Sequence, residues 1–116
     1  AVFIGIIEHR NRNIDEAKKW YRIAANAEYT DSQIYLAQIL EEEGYKLESF
    51  DLYLKAAELK DYRAIDYLLK YYYREKKLKE IKEWVDVVKN STKLKNYNEG
   101  QSGRIKQYEK FLKEKE

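Results

Sequence analysis

The sequence lacks cysteine, proline and methionine, and it has only four glycines among 116 residues. Without cysteine, neither a disulfide framework nor a thiolate metal site can form. The absence of proline and the scarcity of glycine argue against a chain divided into many short strands. A chain that begins at Ala1 and contains no methionine is typical of a piece excised or processed from a longer protein.

Long apolar runs are also missing. The apolar stretch at residues 1–7 is too short to span a bilayer, and it lacks the charged start and small-residue cleavage pattern of a signal peptide. We therefore expect a soluble chain with no membrane span in this fragment. The compartment, the oligomeric state and any targeting segment upstream of Ala1 are left open.

Residue patterns for catalysis are absent as well. His9 is the only histidine, so no pair of histidines can hold a metal ion, and Glu8 beside it points elsewhere on a helix. The sequence contains no nucleophile elbow and no glycine-rich phosphate loop. We predict that the chain is not an enzyme and that it binds no metal and no cofactor.

The residues that are present favour helix. Apolar residues make up 44% of the chain and charged residues 38%, a combination that suits an elongated helical array with much of its surface in water. Lys, Glu, Leu and Ala, all good helix formers, are abundant. The chain has twelve tyrosines, and many of them should lie at the edge of the core, where their hydroxyls can find partners.

The charge is distributed unevenly. Residues 1–58 carry seven Lys/Arg and eleven Asp/Glu, whereas residues 59–116 carry sixteen and ten. Such asymmetry has two interpretations, an ordinary solvated helical surface or two electrostatically distinct binding surfaces.

An internal repeat of 32 residues organises the chain. Residues 20–25 (WYRIAA) align with 52–57 (LYLKAA) and 84–89 (WVDVVK), and the same offset aligns 34–37 with 66–69 and 2–5. One offset that matches two separate segments in three copies predicts a helical repeat protein, in which each copy is one pair of amphipathic helices.

The repeat predicts an all-α fold with defined boundaries. Copies are expected at about 1–28, 29–60 and 61–90, a loop or partly helical link at 91–103, and a displaced capping helix at 104–116. We expect Asn13 or Asp15, and Asp31 or Ser32, to cap helix starts, and Gly44 to end a helix in the left-handed conformation. Helices are predicted at 2–10, 14–27, 32–43, 46–59, 62–75 and 78–90.

A family pattern runs from the first copy into the second: Ala17-Lys18-Lys19-Trp20-Tyr21 and Ala24-Ala25, followed after a short turn by residues 34–37. It resembles the Sel1-like branch of the tetratricopeptide repeats, and Ile4-Gly5 is the nearest match to that family's leucine–glycine pair. The period is shorter than the family's usual lengths, and the third copy replaces small residues by Leu69, Ile81 and Val88. Plain tetratricopeptide is the alternative label. Either resemblance implies a right-handed superhelix whose concave groove binds peptides or protein surfaces, without catalysis or cofactor.

In that superhelix the first helix of each pair would line the concave face. The resemblance therefore implies a mixed-charge groove that suits a charged peptide or helix. Ordinary solvated helix positions are the alternative. The predicted partner-binding residues are Ile34, Gln38, Glu41, Glu42, Asp66, Lys70, Tyr73 and Arg74, with His9 and Arg10 at corresponding places in the first copy.

Three successive tyrosines precede Arg74. By alignment, Tyr71 and Tyr72 match Ile39 and Leu40 and should be mostly core, whereas Tyr73 matches Glu41 and should be exposed. An exposed tyrosine beside an arginine is typical of binding hot spots. Packing between neighbouring repeats is the alternative for Tyr73.

The leading functional prediction is a protein-interaction scaffold, a fragment of a larger protein that binds a peptide or protein of unknown identity. A second hypothesis is nucleic-acid binding through the basic C-terminal half. It is disfavoured because Glu75, Glu80, Glu83 and Asp86 interrupt the lysines in a pattern typical of helix pairing. A third is a structural spacer within an assembly.

Overall fold

The computed structural model describes residues 4–6, 13–96 and 102–115. All the secondary structure in these ranges is helical, which confirms the all-α prediction. We number the helices α1 (residues 4–6, as far as described), α2 Ile14–Asn26, α3 Thr30–Glu42, α4 Lys46–Glu58, α5 Tyr62–Arg74, α6 Leu78–Asn90 and α7 Ser102–Glu114, with a 3₁₀ turn at Thr92–Leu94.

Helices α2 to α6 follow one another at a constant spacing. Each has 13 residues and starts 16 residues after the one before it. The 32-residue repeat of the sequence is therefore two helices with their turns. The predicted boundaries agree with the observed ones to within two residues for α2 to α7; the predicted helix at 2–10 lies mostly outside the described residues.

The fourth, eighth and eleventh residues of each of these helices form its buried stripe. This is the i, i+4, i+7 spacing of one helix face. All are buried except Tyr72, which is half-buried: Ala17, Tyr21 and Ala24 in α2; Gln33, Ala37 and Leu40 in α3; Ser49, Tyr53 and Ala56 in α4; Ile65, Leu69 and Tyr72 in α5; Ile81, Val85 and Val88 in α6.

The four turns between α2 and α6 share one backbone pattern. At the first, the Glu28 N–H donates to the carbonyl of Ala25 and the Tyr29 N–H to that of Ala24. The same pair of bonds recurs at each later turn, which is the Schellman arrangement that satisfies the last carbonyls of a helix. The central residue is left-handed in every case: Glu28 (φ 65°), Gly44 (φ 91°), Lys60 (φ 67°) and Lys76 (φ 56°).

The predicted helix caps were correct only in part. Gly44 ends α3 in the left-handed conformation, as predicted. Asn13 stands at the start of α2, but its side chain makes no capping hydrogen bond. Asp31 and Ser32 lie inside α3, which starts after Tyr29, so the prediction that either caps this helix was wrong.

The chain divides into two compact units, one up to Ala64 and one from Ile65. In the first unit α2 packs on α3 and α3 on α4, around a core that includes Tyr21, Leu36 and Tyr53. In the second unit α6 packs on α7, with Ile81, Val85, Ile105 and Tyr108 buried.

Buried polar side chains join consecutive helices of the first unit. The Ser49 hydroxyl of α4 donates to the Ala37 carbonyl of α3 at 2.8 Å, and the Gln33 amide of α3 donates to the Ala25 carbonyl of α2 at 3.3 Å. Both residues occupy the fourth position of their helices, where α5 and α6 have isoleucine. The bonds satisfy the Ser49 hydroxyl and the Gln33 amide nitrogen, which would otherwise be costly to bury, whereas Oε1 of Gln33 accepts no hydrogen bond from a described residue.

Candidate protein-binding surfaces

Four predicted binding residues lie on α3 in the first unit. Gln38, Glu41 and Glu42 are exposed near its C-terminal end, where they are accessible to a partner. Ile34 is only 2% exposed and belongs to the core. Its prediction as a groove residue was wrong, because at the fifth position of the helix it lies beside the buried stripe.

The acidic end of α3 also acts on the core of its own unit. Burial, reinforced by the negative charge of Glu41, raises the pKa of the Tyr53 hydroxyl to about 12. Nearby, the Lys18 ammonium donates to the Glu43 carboxylate at 2.7 Å, and this bond raises the pKa of Lys18. Glu43 is therefore engaged within the chain, whereas Glu42 forms no ion pair with any residue of the described segments.

The other predicted residues lie on α5 in the second unit. Lys70 and Arg74 are exposed, and the Arg74 guanidinium lies 5.7 Å from the ring centre of Tyr71. Asp66 is half-buried, and its carboxylate accepts from Arg104 at 2.6 Å and from Lys70 at 2.9 Å. The Asp66 carboxylate is therefore engaged by Arg104 of α7 and by Lys70, and its role in binding a partner stays a prediction.

Tyr73 differs from its predicted role. It is half-buried, and its ring lies 4.9 Å from Phe111 and 5.4 Å from Tyr108, both on α7. The prediction of an exposed hot-spot tyrosine was wrong, because the C-terminal helix α7 covers Tyr73. The equivalent residue one repeat earlier, Glu41, is exposed. Tyr71 and Tyr72, predicted as mostly core, are half-buried and form an edge-to-face pair.

The first-copy positions predicted to join this surface, His9 and Arg10, lie outside the described residues. A single groove formed by residues of α3 and α5 stays a prediction. Of its eight residues, five are exposed: Gln38, Glu41 and Glu42 in the first unit, and Lys70 and Arg74 in the second.

A cleft that the sequence did not predict lies between α6 and α7 in the second unit. Its volume is about 590 Å³, and leucine, valine, lysine and acidic side chains line it. One part of the cleft could have been predicted from the sequence: the spacing of Lys79, Lys82 and Lys89 places them on one face of α6. The displaced position of α7, which brings further lysines opposite, could not be read from the repeat.

Within the described segments, no group of three or more histidine, aspartate or glutamate side chains could hold a metal ion. The same segments contain no helix long and apolar enough to cross a membrane.

Comparison with known proteins adds no relative. No protein-family model matches the chain, and neither the curated proteins nor the solved structures contain a significant match. The family resemblance therefore rests on the repeat residues alone.

Proposed function

We propose that the chain is a protein-interaction module that binds a peptide or protein through exposed faces of its helical repeats. The observation that carries the proposal is the constant design of α2 to α6: each helix has its inward stripe at the same three positions and keeps exposed side chains elsewhere on its surface. Repeated helices of this kind build extended surfaces on which recognition is distributed over many side chains.

The exposed residues on α3 and α5 support a charged partner. Gln38, Glu41 and Glu42 make an acidic surface on α3, and Lys70 and Arg74 make a basic one on α5. Complementary charge on a partner would steer its approach and set its orientation. The Sel1-like or tetratricopeptide label remains part of this proposal.

Nucleic-acid binding is the second candidate, and one observation favours it: lysines from two helices meet in the cleft between α6 and α7. Phosphate neutralisation by lysines supplies most of the affinity of sequence-independent binding. Against this candidate, Asp86 and Glu109 line the same cleft.

Capture of a partner, followed by charge reversal, tests the protein-binding proposal. A protein captured from source-cell lysate is identified by mass spectrometry, purified, and titrated against the variants E41K/E42K and K70E/R74E. D51K/E58K and K55E/K106E are matched controls, because they change the same charges at exposed residues outside the predicted groove.

We expect one groove variant to weaken binding by about tenfold while its matched control stays within about twofold. Equal affinity of the partner for all four variants would refute the role of these faces. A chain that captures no protein above background would contradict the proposed function itself.

A further inference from the structure

The cleft between α6 and α7 is lined by six lysines, and we call it the lysine cleft. They come from both sides of the cleft: Lys79, Lys82 and Lys89 from α6, and Lys110, Lys113 and Lys115 from α7 and the residue after it. On α6 these lysines lie three and seven residues apart, which places them on one face of the helix. Two opposing rims of positive charge result.

Most of this positive charge is not neutralised within the described part of the chain. Lys89 pairs with Glu109 at 3.0 Å, and the Lys115 ammonium lies over the ring of Phe111. Lys79, Lys82, Lys110 and Lys113 form no ion pair with any described residue. Like charges held together on opposing rims repel one another, and an anionic ligand would relieve that repulsion.

Apolar side chains lie between the lysines. Leu78 is 38% exposed, Val85 is buried and Leu112 is half-buried, and all three line the cleft. A ligand that carries only negative charge would leave this apolar surface in water. A ligand with apolar groups between its charges would bury it and gain the associated hydrophobic free energy.

These features favour a peptide over a nucleic acid. Single-stranded nucleic acids are held by aromatic rings that stack on their bases, and no aromatic side chain is among the described residues that line the cleft. The Asp86 carboxylate would also repel a continuous chain of phosphates, whereas a peptide with separated acidic residues could place a backbone amide donor against it.

We propose that the lysine cleft binds an acidic peptide segment that also carries apolar side chains. The proposal deepens the protein-binding function proposed above and rests on it. It uses a different surface, because none of the predicted concave-face residues lines the lysine cleft.

Fluorescence anisotropy with a designed probe tests this assignment. The probe is a fluorescein-labelled peptide of about 12 residues, roughly the length of α6, with glutamates flanking three leucines at i, i+4 and i+7 spacing. Two comparison peptides replace either the leucines by serine or the glutamates by glutamine. An oligothymidylate of similar length serves as the nucleic-acid probe.

Variants of the whole chain assign the binding to the cleft. K79E/K82E and K110E/K113E each reverse two unpaired rim lysines, and Leu78→Ser removes part of the apolar surface. K55E/K106E is the matched control, since both lysines are exposed and neither lines the cleft. Circular dichroism verifies that each variant keeps its helix content.

We expect each rim variant to weaken binding of the acidic leucine peptide by about tenfold, and the control by about twofold or less. Leu78→Ser should weaken binding of that peptide but not of the serine peptide. Added salt should weaken it further, and the glutamine peptide should not bind.

The proposal would be overturned by absence of binding or by equal loss in K79E/K82E and the control. Equal affinity for the serine peptide, or tighter binding of the oligothymidylate that displaces the peptide, would overturn it as well. Self-association that K79E/K82E abolishes and the peptide inhibits would assign the cleft to a second copy of the chain and would also overturn it. Because the cleft variants leave the α3 and α5 faces intact, none of these results decides the capture experiment above.

Discussion

Arg63 and Asp31 occupy equivalent positions in consecutive copies of the repeat, 32 residues apart, and they bind each other. Each is the second residue of its helix, α5 and α3 respectively. Arg63 also forms a two-point contact with Asp61, through its Nε at 3.1 Å and its Nη2 at 2.7 Å. Asp61 in turn caps α5, because its carboxylate accepts from the Arg63 backbone N–H at 2.9 Å.

Removal of Arg63 should destabilise the first unit. In Arg63→Ala the Asp61 carboxylate, whose side chain is 8% exposed, loses its charged partner, and we expect a loss of about 1–3 kcal/mol in the free energy of unfolding. Arg22→Ala, which breaks an exposed pair with Glu48, should cost less than about 1 kcal/mol.

Urea denaturation can be followed for each unit separately. The chain has two tryptophans, Trp20 in the first unit and Trp84 in the second, so a Trp84→Phe background leaves fluorescence from the first unit alone. If Arg63→Ala costs no more than Arg22→Ala in that background, the Arg63–Asp61 contact does not stabilise the fold.

The contribution of Asp61 should depend on pH. Burial alone would raise the pKa of its carboxyl, but hydrogen bonds from Arg63 and Thr30 outweigh burial and hold the pKa below its ordinary value of 3.8. A lowered pKa means that the stabilisation is present at neutral pH and is lost as the pH falls below about 4 and through the folded-state pKa. The unfolded state then binds the proton more readily than the folded one.

Asp61→Asn isolates this charge, because asparagine still accepts the capping hydrogen bond. The stability difference between the parent chain and Asp61→Asn should shrink when the urea midpoints are measured at about pH 3 instead of pH 7. A difference that stays constant between the two conditions would show that the charge of Asp61 contributes nothing.

The left-handed turn residues offer a second stability test. A residue with a β-carbon pays roughly 1 kcal/mol or more in this conformation, which glycine avoids. We expect Glu28→Gly and Lys76→Gly each to stabilise the chain by about 0.5–1 kcal/mol, after allowance for the greater freedom of glycine in the unfolded state.

Gly44→Ala is the reverse experiment. A β-carbon at this position would meet no atom within 4 Å, so the change reports backbone strain, offset in part by the lower freedom of alanine in the unfolded state, and no steric clash. We expect a loss of about 1 kcal/mol in thermal or urea unfolding. Stabilisation by Gly44→Ala together with destabilisation by Lys76→Gly would contradict the common turn geometry.

Gly5 should tolerate no side chain, for a different reason. A β-carbon on Gly5 would lie 2.6 Å from both Cδ1 and Cε1 of the Tyr21 ring, which is 1% exposed and cannot easily move. Gly5→Ala should therefore cost about 1–3 kcal/mol, although alanine is the better helix former by about 1 kcal/mol. The midpoint of thermal unfolding shows whether Gly5→Ala stabilises or destabilises the chain.

A double-mutant cycle identifies the cause of that cost. In a Tyr21→Leu background the flat ring is gone, and Gly5→Ala should cost clearly less than in the parent chain. An equal cost in both backgrounds would mean that the Tyr21 ring is not what excludes the methyl group.

Tyr73 should stabilise the second unit. Tyr73→Ala removes ring contacts with Tyr108 and Phe111 and should lower the free energy of unfolding by about 2 kcal/mol, whereas Tyr73→Phe keeps the rings and should be nearly neutral. Trp84 fluorescence in a Trp20→Phe background measures this unit. Equal stability of the alanine and phenylalanine variants would return Tyr73 to the set of candidate binding residues.

The sequence predicted the helices well because hydrophobic spacing is a local signal repeated many times. It predicted Gly44 at a left-handed turn for the same reason, since glycine marks that conformation. Glu28, Lys60 and Lys76 are not residue types that indicate a left-handed conformation, so their positive φ could not be predicted from residue type.

The candidate site was predicted less well, because exposure depends on what packs against a helix. Alignment at the 32-residue offset placed Tyr73 with exposed Glu41 and Asp66 with Ile34. Helix α7, which lies outside the repeat register, covers Tyr73 and pairs with Asp66 through Arg104. No periodic pattern contains that information, and the lysine cleft was missed for the same reason.

The uniform turns separate two kinds of periodicity in this chain. Backbone conformation recurs with every helix, after 16 residues, but the best side-chain match recurs only with every second helix, after 32. Deleting one helix and its turn would keep the 16-residue backbone period but would put the 32-residue side-chain pattern out of register. Deleting a pair of helices would keep both periods in register. The smallest length change that such a chain can absorb in evolution or design is therefore the pair.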